Sequence, residues 1–271
     1  MQDLLNNSSL SDSCVVITGV SGQLGRAYAS AFLAAGATVV GIDKVEPDLT
    51  ELLSSETKNN FLFVHSDVTN KVSLRRGLSQ IEKEVGTPTV LINNAAIDSP
   101  PSAPSSENGP YEEYPDESWD RVLAVNLSGV HYCCQVFGGA MALAGRGSII
   151  NIASIYGMVS PDQSLYEYRR SNDEVFYKPV AYSASKSGIL NLTRYLAVYW
   201  AKQNVRVNSL SIAGVFNNQD KEFLDAYCAR IPVGRMANPD DYIGALIFLA
   251  GHGSKYMTGH NMVVDGGWTA I

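Results

Sequence analysis

The stretch AYSASKSG, residues 181–188, puts a tyrosine four positions ahead of a lysine among small neighbours. On a helix Tyr182 and Lys186 share a face. A phenol ordinarily ionises near ~10, and an adjacent ammonium stabilises the phenolate and lowers that value. That is the property a general acid/base needs to move a proton to or from an alcohol oxygen. The lysine stem is also long enough to reach ribose hydroxyls of a bound dinucleotide, and Ala181, Ser183, Ala184 and Ser185 leave room for a ring. Two further polar residues belong to the same chemistry. Ser154 ends an apolar run and can hydrogen-bond a substrate oxygen. Asn126, in AVNLSG, is a polar residue inside an apolar helical stretch. A buried amide must find partners, and this one is a candidate to hold a water that links Lys186 to solvent.

A second constellation lies near the start. TGVSGQLG, residues 18–25, closes a strand-like run and opens a helical one. Gly19 suits a tight turn, while Gly22 and Gly25 suit close approach of backbone to phosphate and of helix to sheet. The first amides of the helix would then face a pyrophosphate. The expected phosphate-side contacts are Gly19, Ser21, Gly22, Gln23, Leu24 and Gly25. Asp43 ends the next apolar run, 18 residues beyond Gly25, which is the spacing of a ribose-binding carboxylate. It would repel a 2′-phosphate, and although Lys44 follows, no arginine adjoins it. NAD is therefore expected over NADP. In SDVTN (66–70) Asp67 and Val68 are placed to meet adenine, or Asp67 only caps the helix that starts near Asn70. In NNAA (93–96) the small residues let a flat ring lie against the chain, so Asn93, Asn94 and Ala95 are further expected contacts.

These residues need a scaffold that brings strand ends together. Runs at 14–19, 38–43, 62–67, 90–95, 148–154 and 205–212 are Val- and Ile-rich and unbroken, as strands covered on both faces are. Longer amphipathic stretches alternate with them, such as 24–36 ending in Gly36. This alternation implies an α/β fold, a doubly wound parallel sheet with helices on both faces and right-handed crossovers. Two segments break the rhythm. Residues 99–118 are rich in Pro and Ser, then acidic, with helix expected to resume at about Trp119; residues 161–178 precede the Tyr/Lys helix. Both are long for loops of a compact domain and both follow strand carboxyl ends, where ligands bind in such sheets. They are expected to form pocket and lid. The second carries Tyr166, Tyr168, Arg169, Arg170 and Tyr177: aromatic faces for a sugar ring, and an arginine pair for phosphate or carboxylate.

Composition narrows the function classes. The 271 residues, 45% hydrophobic and 17% charged, are those of a globular chain. A net charge of −7 offers no basic stripe for nucleic acid. MQDLLNNSSL has no signal-peptide pattern, and YIGALIFLAG is too short to span a bilayer. The cysteines Cys14, Cys133, Cys134 and Cys228 and the four histidines have no metal-ligand spacing, so no metal is expected and a reducing, cytoplasmic setting is.

The ordered motifs from CVVITGVSGQLG through SDV, NNAA, VNLSG, INIAS, YSASK, VRVNSLS and PVGRMANPDD to VVDGGW resemble the short-chain dehydrogenase/reductase superfamily over nearly the whole chain. The resemblance implies a single Rossmann-fold domain over 1–271 and a nicotinamide cofactor. It implies a catalytic set of Asn126, Ser154, Tyr182 and Lys186, cofactor contacts extending to Gly214, Val215 and Asn217, and a homodimer or homotetramer packed through helices near 119–144 and 181–203 and through the C-terminal segment. NNAAIDSPPSAP with ENGPYEEYP, YGMVSPDQSLYE and TGHNMVVDGGWTA resemble, more narrowly, bacterial oxidoreductases of the flagellin-modification protein A type, associated with sugar and nonulosonate pathways.

Several positions depart from the superfamily pattern. Gln23 replaces the middle glycine of TGxxxGxG, and the resulting GxxGxxG is that of the extended epimerase and dehydratase branch. Only 85 residues follow Lys186, too few for that branch's substrate domain. Ala96 replaces a glycine, Ile212 and Ala213 stand where Pro-Gly is usual, and Asn217 stands for a threonine. The expected activity is hydride transfer between NAD and a secondary alcohol or ketone of a small molecule, on a sugar derivative that is polar and anionic in one version. The alternatives are an epimerase or dehydratase that retains its NAD, and a non-catalytic binding protein on the same fold.

Overall fold

The computed structural model describes residues 10–48, 57–98, 106–172 and 174–271. Seven parallel strands form one sheet in the order β3-β2-β1-β4-β5-β6-β7. They are β1 (Cys14–Thr18), β2 (Thr38–Asp43), β3 (Phe61–His65), β4 (Val90–Asn93), β5 (Gly147–Ser154), β6 (Val205–Ile212) and β7 (Asn261–Val264). Six fall on the expected runs. β7 was not expected as a strand; its four residues pair with Ser209 to Ile212 at the sheet edge.

Helices cover both faces, which is why the central strands are apolar on alternate and intervening residues alike. Against one face lie α1 (Gln23–Ala34) and α6 (Ile243–Ala250). Their side chains Tyr28, Phe32, Leu246 and Leu249 pack with Val15, Ile17, Ile92 and Ile150. Against the other lie α2 (Lys71–Glu84), a long helical rod and α4 (Val180–Trp200), packing Leu74, Phe137, Ile189 and Trp200 with Val16, Val40 and Leu91. The rod begins as α3 (Asp116–Leu123), three residues earlier than expected, and continues to Ala144 through π-helical turns at Ala124–Gly129 and Cys134–Gly138. α1 ends where Gly36 takes φ +86°, as its sequence position implies.

The strand order reverses at β1, whose neighbours are β2 and β4. A crevice opens there at the carboxyl ends of the strands, the place where such sheets bind ligands. Those of residues 161–178 that the structure describes form a partly helical flap, with a 3-10 turn at Gln163–Tyr166 and a short helix at Glu167–Arg170. With α5 (Lys221–Cys228) it builds a small third core of Leu165, Tyr166, Phe176, Tyr227, Ile231 and Met236. Of the other insertion, 99–105 lies outside the described residues. Among the described residues, no helix is long and apolar enough to cross a membrane.

Candidate active site

The glycine turn joins β1 to α1 with its backbone against the end of β4. Gly19 takes φ +69°, and a Cβ there would stand 2.8 Å from the Cα of Ala95. A Cβ on Gly25 would stand 2.1 Å from the Gly19 carbonyl oxygen. Gly22 is less constrained; it is the residue before the first turn of α1. Thr18, which sequence reasoning passed over, fixes this corner. Its hydroxyl accepts from the amides of Asn94 and Ala95, both at 3.0 Å. The Asn94 side-chain amide donates back to the carbonyls of Thr18 and Gly19 at 3.0 and 3.2 Å. A hydroxyl at the end of the first strand was the signal available for it.

Asp43 ends β2 facing this turn. Its carboxylate accepts from the Ser21 amide at 3.0 Å and from the amides of Lys44 and Val45 at 2.7 and 3.2 Å. Lys44 turns to Asp67, at 3.5 Å. Asp67 also accepts from the amide and hydroxyl of Thr69, at 2.9 and 2.8 Å. Burial is the largest single effect and raises its ionisation, but these hydrogen bonds and Lys44 together outweigh it and hold the carboxyl below the usual range. It does not cap α2; Asn70 does, accepting from Val72 and Ser73. Val68 turns its side chain into the core. Asn93 departs from expectation. Its amide is buried and donates to Asn151 at 2.8 Å, and Asn151 donates to Thr193 on α4 at 2.9 Å. The side chain ties sheet to helix, and does not face the crevice.

On the other side of the crevice, Ser154 ends β5 and Tyr182 lies in the first turn of α4. Both line one cavity of about 780 Å³, together with Leu24, Asp98, Tyr156, Tyr166, Arg169, Lys178, Gly214, Val215 and Asn217. Ser154 lies close enough to Tyr182 on this wall to ease the ionisation of its phenol. Lys186 is buried one turn on, 5.7 Å from the Tyr182 ring centre, and donates to the Ile152 carbonyl at 2.8 Å. Burial pushes its amine down to about 8, with Asp98 pulling the other way.

The phenol does not follow the expectation drawn from its spacing. Its ionisation is raised, first by burial and then by Asp98, against the easing effect of Ser154. The loss of solvent sets the direction, while the Lys186 ammonium donates to the Ile152 carbonyl.

Asn126 sits wholly buried in the first π-helical turn. It accepts from the Ile97 amide at 2.8 Å and donates to the Ile97 carbonyl at 2.9 Å and to Ser185 at 3.2 Å. It thus pins the chain leaving β4 to α4. Ser185 in turn donates to the Tyr182 carbonyl at 2.7 Å.

The segment after β6 forms the remaining wall. The Gly214 amide donates to the Tyr227 hydroxyl at 2.7 Å, where a Cβ would not fit. Gln219 braces Val215 and Asn217 at 2.9 and 2.8 Å. Gln23, the residue in place of a glycine, donates its side-chain amide to the Phe216 carbonyl at 2.9 Å. It spans the two walls of the crevice.

Two more residues went unremarked in the sequence. Lys178 is ion-paired with Asp98 and stands 5.6 Å over the Tyr182 ring. Its signal was a base at the last position of the insertion, just before the proline that opens α4. Of the arginine pair, only Arg169 lines the cavity; Arg170 braces the flap. Among the described residues, no group of His, Cys, Asp and Glu is arranged to hold a metal.

Comparisons with known proteins agree with this geometry. Residues 19–269 match the family model described as enoyl-(acyl carrier protein) reductase. D-threitol dehydrogenase of Mycolicibacterium smegmatis is 31% identical over 268 residues, 96% of this chain and 94% of that protein. The crystal structure of a short chain dehydrogenase from Leptospira borgpetersenii with bound NAD+ superposes with a TM-score of 0.85 at 32% identity, covering 97% of this chain and 95% of that one. A gluconate 5-dehydrogenase from Burkholderia cenocepacia, in complex with NADP and tartrate, superposes with a TM-score of 0.83 at 25% identity, covering 99% of each chain. The chain therefore belongs to the short-chain dehydrogenase/reductase superfamily of oxidoreductases.

Proposed function

We propose that the protein interconverts a secondary alcohol and a ketone on a small hydroxylated molecule, with NAD as its redox partner. The observation that carries this reading is the meeting of Ser154 and Tyr182 on one cavity wall, with Lys186 buried beneath them. The residues around the crevice fit a dinucleotide. The cradle at Gly19 and Gly25 is one that side chains would fill, the first amides of α1 open onto it, and Asp43 stands at the ribose end. Gly19, Ser21, Gly22, Gln23, Leu24 and Gly25 would hold the phosphate side, Asp43, Asp67 and Val68 the adenosine, and Asn94, Ala95, Gly214, Val215 and Asn217 the nicotinamide half. Asn93 supports the floor from beneath.

A bound nicotinamide supplies or accepts the hydride. The chain's own residues handle the proton and the alignment. Ser154 fixes the substrate oxygen by hydrogen bond. Tyr182 Oη gives a proton to that oxygen in reduction and takes it in oxidation. Lys186, anchored by Ile152, presents its ammonium to the ribose hydroxyls. Asn126 holds the chain after β4 and the start of α4 in register, and a water beside it would let Lys186 exchange protons with solvent.

NAD is favoured over NADP by the Asp43 carboxylate, which would repel a 2′-phosphate. Relatives span both: the Leptospira enzyme binds NAD+ and the Burkholderia enzyme NADP. The likeness to the threitol enzyme supports a polyol or sugar-derived substrate, and the motif resemblance to flagellin-modification protein A-type oxidoreductases points the same way. We further propose a homodimer or homotetramer.

The test is an absorbance assay of NADH formation on a panel of polyols and sugars. Net NADH formed with NAD, and much less with NADP, is the expected result. Conversion of a sugar with no net NADH would move the reading to an epimerase.

A further inference from the structure

The following inference rests on the redox reading above and concerns hydroxyls of the same cavity that the proton chemistry leaves unused. Five tyrosines line that cavity: Tyr156, Tyr166, Tyr168, Tyr182 and Tyr227. Tyr182 is assigned the proton. Tyr168 donates to the Asp220 carboxylate at 3.1 Å, and Tyr227 accepts from the Gly214 amide at 2.7 Å. Tyr156 and Tyr166 differ. Among the described residues neither of their hydroxyls has a hydrogen-bond partner, and neither is sealed from solvent. A tyrosine withdrawn from water usually spends its hydroxyl on a partner. Two open phenols in one cavity point to a partner that arrives with the ligand.

Both phenols are held in place by what surrounds them. Tyr156 stands two residues after Ser154, in the 3-10 turn Ile155–Gly157, and its amide donates to the Ser154 hydroxyl at 3.2 Å. Its position is thereby tied to the group that fixes the reacting oxygen. Tyr166 comes from the flap and is only 5% exposed. Its ring packs against Phe176 and Phe223, with centroids 4.6 and 5.5 Å away. It therefore offers no ring face to a sugar, contrary to the expectation from sequence; what stays open is its hydroxyl. Tyr156 lies near enough to both Tyr166 and Tyr182 for a charge on either to raise its ionisation. Burial, the largest effect on each, pushes Tyr156 and Tyr166 above the ordinary phenol range. Both thus remain neutral O–H groups, able to donate and to accept, which is the chemistry that matches another hydroxyl.

We propose that Tyr156 and Tyr166 are specificity-determining residues that hydrogen-bond a second hydroxyl of the substrate, on the carbon next to the one that reacts. The substrate class is then a vicinal diol or polyol, held at one hydroxyl by Ser154 and Tyr182 and at the next by the two phenols. A substrate without the second hydroxyl leaves both phenols unpaired in the filled cavity. A site built to bond a hydroxyl rejects the analogue that lacks it far more strongly than an apolar site rejects a missing methylene.

The experiment measures kcat/KM with NAD for 2,3-butanediol and 2-butanol, which differ by one hydroxyl. The wild type is expected to favour the diol by about tenfold or more. Tyr166→Phe removes one oxygen and keeps the ring between its neighbours. It is expected to lower kcat/KM for the diol about tenfold and to leave 2-butanol within about twofold. Tyr156→Phe, on a separate element, is expected to do the same. A wild type with no preference for the diol would overturn the proposal. So would either variant that slows diol and mono-alcohol by one factor, the mark of a merely structural role. If neither alcohol yields NADH, the redox reading of these substrates fails and the subsite is judged separately, by thermal shift of the NAD-loaded protein with threitol. A larger shift for wild type than for Tyr166→Phe supports it, and equal shifts reject it.

Discussion

Lys186 and Tyr182 are both withdrawn from water, and burial acts on them in opposite senses. It pushes the amine down to about 8 and the phenol up. At neutral pH the cofactor-free site therefore holds a protonated tyrosine, the form that delivers a proton to a carbonyl. Tyr182→Phe keeps the ring and removes that proton; kcat/KM is expected to fall roughly 10²- to 10⁴-fold, the usual worth of a positioned acid or base, as read in steady-state kinetics. The amine makes a separate statement about stability. Its value when folded lies below its ordinary one, so between about 8 and 10.5 the unfolded chain binds the extra proton and stability rises with pH. Below that window both states are protonated and the burial cost is fully present. The gain across it is of order 3 kcal/mol. Melting curves at about pH 7 and about pH 9.5 should show wild type gaining relative to Lys186→Met. A constant difference between the two proteins would mean that the amine is not held down.

At the scale of elements, the crevice is made by the first turn of α1 on one wall and the chain after β6 on the other, and Gln23 links them through the Phe216 carbonyl. One such bond is worth about 0.5–1.5 kcal/mol. Gln23→Gly restores the common glycine and removes the link, so NADH should leave about two- to tenfold faster in stopped-flow fluorescence; an unchanged release rate would mean the bond does not guard the crevice. The sequence named Gln23 as a departure but had no means of showing its partner 193 residues away. The orientation of Asn93 was legible in the sequence. Strand residues alternate faces, so Asn93 shares the face of Leu91, which packs beneath α4, and only Asn94, past the strand, turns to the glycine corner. The flap was legible as an insertion but not as a structure, because its order comes from Arg170 and Gln163 bonding distant carbonyls rather than from any periodicity. β7 is a short edge strand, and its pairing with β6 supplies what its own length does not.

At the scale of the whole molecule, three of the large apolar side chains left exposed lie together. Leu143 at the end of the rod is 93% exposed, and Tyr195 and Tyr199 on α4 are 65% and 62% exposed. They line one groove between α2, the rod and α4, rimmed by Lys71, Arg75 and Glu82. The two tyrosine rings stack with centroids 6.1 Å apart. An apolar strip with a charged rim has the anatomy of an interface, and a two-fold axis through it would bring the same residues together from both copies. The same helix α4 carries Tyr182 and Lys186 at its other end, so association would also stiffen the element on which proton transfer depends. Light scattering coupled to size exclusion should give two or four times the chain mass for the wild type. Leu143→Asp with Tyr199→Asp puts like charges on both sides of the contact and should release monomers with an unchanged far-UV circular dichroism spectrum. Both substitutions are at exposed positions, so the fold itself should lose little. A wild type that runs as a monomer, or a double variant that keeps the wild-type mass, would rule this face out as the contact.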